Sequence, residues 1–424
     1  MRQERTNIFF GVDWVLVLIY FVLVGFGWMN IYAASFTEEN SAIFDLSTKY
    51  GKQLLWIVLS IPLIILILFI NGKFYERFAS IFYLVSILSL LGLFVLGTEI
   101  NGAKSWYRFG SVGLQPSEFA KAFTAMALAK LLSDRKYNLN LIKNQIKAFI
   151  IIFLPALLIA IHDAGSAIVY LSFFFVLNRE GLTLAYIILG TSAIALFILT
   201  ILFGVKYLII FLFALISIYL FYQVYRDKRF LRFNWVKIFA TYVISAIFIL
   251  GVDYSYNNVL NQYQRDRFEV LLGLNNDTRD VGYNLNQAIE TISSGGGFGK
   301  GFLKGDRTQG KFVPEQHTDY IFSTVGEEWG FIGTSFVVIL FMLLLFRIIS
   351  RAEQHNNKFG RIYGYGVASI LFFHFIINIG MVIGLLPTVG IPLPFISYGG
   401  SSLWGFTLLL FVFVKLDAHK SYDW

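Results

Sequence analysis

The chain has 424 residues, of which 57% are hydrophobic and only 14% charged, with a formal net charge of +8. A typical soluble domain carries about 25% charged residues and needs a polar surface that is missing here, so soluble multidomain architectures are excluded. The absence of cysteine removes disulfides, thiolate metal sites and cysteine nucleophiles; the five histidines lack metalloprotease spacing, and no nucleic-acid partner is expected.

A membrane-spanning helix needs about 20 mostly apolar residues. Such runs lie at 13–34, 53–71, 78–97, 117–133, 147–163, 165–178, 183–203, 206–223, 236–256, 320–346, 361–385 and 399–416. They predict an all-α polytopic membrane protein of about twelve transmembrane helices. The first run exceeds a signal-peptide core and reads as an uncleaved helix. With the N-terminus in the cytoplasm, Lys73, Arg77, the 135–147 segment, Arg179, the 226–237 and 347–361 segments and the C-terminus all fall inside. The short internal loops then carry the basic excess, as positive-inside orientation requires. The segments 98–117, 257–319 and 386–398 face outward.

Within these elements the polar residues are few enough to follow in order. Leu114-Gln-Pro-Ser-Glu-Phe-Ala-Lys121 starts the fourth run, and Glu118 and Lys121 form an i,i+3 pair on one helix face. His162-Asp-Ala-Gly-Ser166 interrupts an apolar stretch; Asp163 reads as a turn former and as a carboxylate on the outer side. The 257–319 segment is long for a loop, which points to a function or partial folding, and Gly282–Ile292 is helix-like. Its Arg265, Arg267, Arg279, Lys300, Lys304, Arg307 and Lys311 suit an anionic ligand. They equally suit a solvated loop balanced by Asp266, Glu269, Asp277, Asp280 and Asp306. Gly295-Gly-Gly-Phe-Gly-Lys-Gly301 fails the P-loop pattern and leaves a backbone nest or a flexible loop.

Asp319 stands where this loop enters an apolar helix. Thr318 or Asp319 can cap that helix, and Asp319 can equally act as a general base at the membrane surface. Glu327 and Glu328 lie deeper, where ionisable groups need a partner, and Lys121 is a candidate. Pro387, Pro392 and Pro394 forbid a continuous helix across 378–402. Ser397, Gly399 and Gly400 then offer free N–H groups at the start of the last helix, where anions bind.

Together these stretches resemble the SEDS family (shape, elongation, division and sporulation), most closely its RodA branch. The resemblance runs from Asn101-Gly-Ala-Lys-Ser-Trp106, Gln115-Pro-Ser-Glu118 and Lys121, through Asp163-Ala-Gly165, to Gly282-Tyr283, Gln287, Ser294–Gly301 and Pro314-Glu-Gln-His-Thr-Asp319, and ends in Asn378–Ser402. It implies a peptidoglycan glycosyltransferase polymerising lipid II on the outer face of the bacterial cytoplasmic membrane, beside a class B penicillin-binding protein and the other membrane proteins of cell elongation. Asp319 of its His-Thr-Asp motif, after His317, is the implied essential residue, acting as base on the acceptor hydroxyl. Glu118, Lys121, Asp163, Arg265, Arg267, Gln287, Lys300, His317 and Ser397 are the implied supporting set. No cofactor is fixed; a divalent cation, magnesium or manganese, is compatible with pyrophosphate departure. Ser105 stands where the family often has a basic residue, and Lys104 or Arg108 takes its place. The family has ten spans, so 183–223 reads as an inserted hairpin in one SEDS-type domain. A lipid II flippase and a non-catalytic scaffold are the alternatives.

Overall fold

Helix boundaries in the computed structural model follow local chemistry; it describes residues 11–36, 43–100, 103–110, 112–226, 230–274 and 281–419. Asp13 caps α1 (Trp14–Ser35), its Oδ1 accepting from Val15 N and Leu16 N. Thr48 and Asn71 cap α2 (Lys49–Phe69) and α3 (Gly72–Leu96) in the same way. After α3 the chain forms a short antiparallel sheet, β1 (Thr98–Ile100), β2 (Ala103–Phe109) and β3 (Val112–Leu114), in the order β1-β2-β3. Nothing in the apolar periodicity announced it. Asn101 and Gly102 lie outside the described residues, as do Met1–Arg5, Asp277, Arg279 and Asp280.

Pro116 occupies the first turn of α4 (Pro116–Ser133), where its missing N–H costs nothing. This helix is the centre of the bundle, buried among α3, α5 (Ile142–Ala160), α14 (Lys358–Val382) and α15 (Gly400–His419). Small residues make the close approach possible. A Cβ on Gly405 of α15 would stand 3.0 Å from Glu118 Cβ, and one on Gly366 of α14 would stand 3.2 Å from Ala125 Cβ. Between α5 and the later helices, residues 164–179 form α6 (Ala164–Ile168), a 3-10 turn (Val169–Ser172) and α7 (Phe173–Arg179).

Residues Thr183–Gly282 form a separate compact unit. It contains α8 (Ala185–Arg226), α9 (Phe230–Asn258) and α10 (Gln262–Leu271). The remainder, Met1–Leu182 with Tyr283–Trp424, is the other unit. There α11 (Val281–Ser294), from Tyr283 onward, and α12 (Asp306–Gln309) precede α13 (Ile321–Glu353). Much of the expected 257–319 loop is therefore helical.

Among the described residues, nine helices are long and apolar enough to cross a membrane, against the twelve expected. All twelve runs are helical, and the difference has three sources. The run at 117–133 is α4, which is not among the nine. The run at 165–178 is broken into short pieces. The runs at 183–203 and 206–223 share the 42 residues of α8, interrupted at Gly204 with φ 74°. On either side of that break, 185–203 and 205–226 are about 29 and 33 Å long at 1.5 Å per residue, each close to one bilayer core, as the two separate runs predict. Residues 183–223, expected as an inserted hairpin, lie within the unit Thr183–Gly282.

Candidate active site

His317-Thr318-Asp319 is tied down by its backbone. Tyr398 N donates to His317 O at 2.9 Å, Ser397 Oγ to Thr318 O at 2.7 Å, and Asn378 Nδ2 to Asp319 O at 2.8 Å. Three successive carbonyls are thus held by α14 and the non-helical 383–399 segment that follows it. The prolines of that segment leave carbonyls without helical donors, and Asn378 also donates to Ile391 O at 2.7 Å. The carboxylate of Asp319 is half-buried and borders Gly390, where an added Cβ would lie 3.3 Å from Oδ2.

Tyr320 precedes α13 and its side chain makes no capping bond; Thr318 Oγ1, expected as a possible cap, donates to Glu315. Of the N–H groups expected to be free at the start of the last helix, Gly399 N donates to Gln53 Oε1 at 3.1 Å and Ser397 N to Leu393 O at 3.0 Å. His317 lies beside the Tyr398 ring at a tilt of 53°, with Nδ1 3.5 Å from Lys49 Nζ and Nε2 3.5 Å from Glu315 Oε2. Burial, then the Lys49 charge, pushes its pKa down to about 4, against the weaker pull of Glu315. It is therefore neutral at physiological pH. A polar cleft of about 480 Å³, lined by Lys49, Lys311 and Glu315, opens beside it.

Asp163 is both turn former and neighbour of the site. It caps α6, taking Ser166 N at 3.1 Å and Ser166 Oγ at 2.6 Å, while Gln115 Nε2 approaches at 3.5 Å. A Cβ on Gly165 would lie 2.5 Å from Val389 O. Val389 and Gly390 thus separate the Asp163 turn from Asp319.

Glu118 and Lys121 form the expected pair at 2.9 Å, with side chains 3% and 2% exposed. Lys121 does not reach Glu327 or Glu328. Its other partners are His374 Nε2 at 3.0 Å and the Phe406 ring at 4.8 Å. In the first loop Ser105 points inward, Lys104 Nζ donates to Phe94 O at 3.0 Å, and Arg108 is exposed.

Glu327 organises the other side of the loop. Oε1 accepts from Ser294 Oγ, Lys300 Nζ and Arg307 N, and Oε2 from Thr308 N and Oγ1, all within 2.7–3.2 Å. Lys300, held by Glu327 and then Asp306, has its pKa raised. Gln287 accepts from Arg307 at 2.5 Å. Lys300 and Gln287 therefore brace the loop. Arg265 and Arg267 lie on α10 in the second unit, where Arg265 donates to Leu260 O.

The glycine cluster is neither nest nor loose loop. Gly330 (φ 62°) interrupts α13, leaving four backbone groups without helical partners. Lys300 N and Gly301 N donate to Glu327 O and Glu328 O, while Phe331 N and Ile332 N donate to Gly296 O and Gly297 O, all at 2.9–3.2 Å. The glycine segment splices the break. Its lack of side chains is required: a Cβ on Gly330 would stand 2.8 Å from Gly297 O.

Sequence reasoning missed Asn378, His374 and Gln53 as contributors. His374 and Asn378 stand one turn apart in an otherwise apolar stretch of α14, a signal that could have drawn attention to them; Gln53, beside Lys49 and Lys52 at the start of α2, gives none. Among the described residues no group of three His, Cys, Asp or Glu side chains is arranged to hold a metal ion.

The geometry can be set beside known proteins. The peptidoglycan glycosyltransferase RodA of Treponema pallidum is 31% identical over 433 residues, covering 96% of this chain and 98% of its own. Escherichia coli MrdB, also a peptidoglycan glycosyltransferase, is 31% identical over 394 residues, covering 92% of this chain and 90% of its own. A chain of a peptidoglycan synthase complex that coordinates polymerization and crosslinking superposes with TM-score 0.71 at 26% identity, covering 97% of this chain and 99% of that one. The family model for the cell cycle protein FTSW_RODA_SPOVE matches residues 13–237 and 232–422, and the chain belongs to that family.

Proposed function

We infer that this protein is a peptidoglycan glycosyltransferase of the RodA type, polymerising lipid II into β-1,4-linked strands for cell elongation. The observation that carries this reading is the clamping of all three His317-Thr318-Asp319 carbonyls beside a half-buried carboxylate. The names of the relatives support it. Asp319 is the general base: it takes the proton of the acceptor 4-hydroxyl as that oxygen attacks the anomeric carbon. The polyprenyl pyrophosphate leaves from the opposite face, converting the α-linkage to β, as in other inverting displacements at a sugar. Backbone clamping serves this step by fixing the base through its main chain. Lys49 and Lys311, which line the cleft beside His317, and Arg108, exposed on β2, are cations that can screen the leaving pyrophosphate. The reaction side is extracytoplasmic, with both termini cytoplasmic, and a class B penicillin-binding protein is the crosslinking partner. The similarity to a chain of a polymerizing and crosslinking complex supports that partner.

Lipid II polymerisation by Asp319→Asn tests the assignment. General bases contribute about 10²- to 10⁴-fold, so the variant should lose at least that much strand synthesis while keeping expression and partner binding. Wild-type strand synthesis by Asp319→Asn sinks the reading.

A further inference from the structure

Two polar residues stand one turn apart on α14, His374 and Asn378, and both are fully buried. Asn378 holds Asp319 O and Ile391 O. His374 Nδ1 lies 3.2 Å from Pro392 O, the next carbonyl along. A carbonyl can only accept, so Nδ1 carries the hydrogen and Nε2 presents a lone pair. That lone pair faces Lys121 Nζ at 3.0 Å, whose charge Glu118 Oε2 balances at 2.9 Å. The ammonium on α4 therefore selects the histidine tautomer that can grip Pro392. Pro392 and Pro394 have no N–H, so the segment has few internal bonds and depends on α14 for its position. Two residues before Pro392, Gly390 abuts Asp319 Oδ2.

We propose that His374, set by Lys121 and Glu118, is a positioning residue: through Pro392 O it fixes the backbone wall against which the Asp319 carboxylate rests. This rests on the glycosyltransferase reading and deepens it. It removes Lys121 from the pyrophosphate contacts, because a side chain 2% exposed and enclosed by Glu118, His374 and Phe406 already has its partners.

Two isosteric variants separate the roles of the ring nitrogens. Asn places an N–H at the δ position and can still donate to Pro392 O, whereas Gln places its amide at the ε position, toward Lys121. The full-length chain is assayed with lipid II, measuring kcat, KM and melting temperature. His374→Asn should keep kcat within about threefold. His374→Gln should lose on the order of 10- to 100-fold in kcat, the scale of a misplaced base, with KM unchanged. Equal kcat in the two variants, a kcat order that follows melting temperature, or a loss confined to KM overturns the proposal. Asp319→Asn is run alongside. If it is inactive while the two His374 variants behave alike, only the positioning role falls; if it stays active, the general-base reading falls independently.

Discussion

At Asp319 the protein separates two demands on one residue: the backbone is immobilised by Asn378 and its neighbours, while the carboxylate keeps one side toward Gly390. Gly390 itself has φ 74°, a conformation that costs other residues about 1–3 kcal/mol. Gly390→Ala should therefore lower the melting temperature and, by crowding Oδ2, reduce kcat more than KM; unchanged kcat would show that the contact is idle. His317 gives a pH signature. Its folded pKa of about 4 lies below the ordinary 6.5, so between those values the unfolded chain binds a proton that the folded chain refuses. Stability is unaffected above pH 6.5 and is lost as pH falls toward 4, by on the order of 3 kcal/mol. Melting temperatures across this window should fall less steeply for His317→Gln than for wild type. A variant as steep as wild type assigns the acid sensitivity elsewhere.

Helix breaks are the elements' main functional device. The prolines announced the break after α14, because a missing N–H and fixed φ are local properties. The break at Gly330 was not legible: glycine within an apolar helix is ordinary, and the partners that make interruption stable lie thirty residues earlier in sequence, at Gly296–Gly301. The same distance hid the true partner of Glu327. Glu327→Ala should cost on the order of 3–5 kcal/mol, the penalty for dismantling a buried charge network, visible as a lower melting temperature and earlier proteolysis at 294–308. Retention of the wild-type melting temperature would mean that the loop is held by its glycine splice alone. The β1–β3 sheet escaped the sequence reading for another reason: its strands are three to seven residues long, too short for alternation to register.

For the whole molecule, sidedness remains the strongest physical expectation, and the chain is suited to testing it because it contains no cysteine. Lys304 and Asn356 are both exposed. A membrane-impermeant maleimide should label Lys304→Cys in intact cells and Asn356→Cys only after permeabilisation. The reverse pattern would invert the assigned topology.

Composition and the spacing of apolar runs by themselves determined the helical membrane class and the helix starts at Pro116 and after the proline-rich segment, because each reflects local propensity or the cost of charge in an apolar medium. That cost also guaranteed that Lys121 and Glu327 would have partners. Which partners they took was decided by the tertiary structure alone: Lys121 meets His374 and Glu327 meets Lys300. Helix packing brings those pairs together across long stretches of chain, and no spacing rule along the sequence encodes a contact between residues 121 and 374.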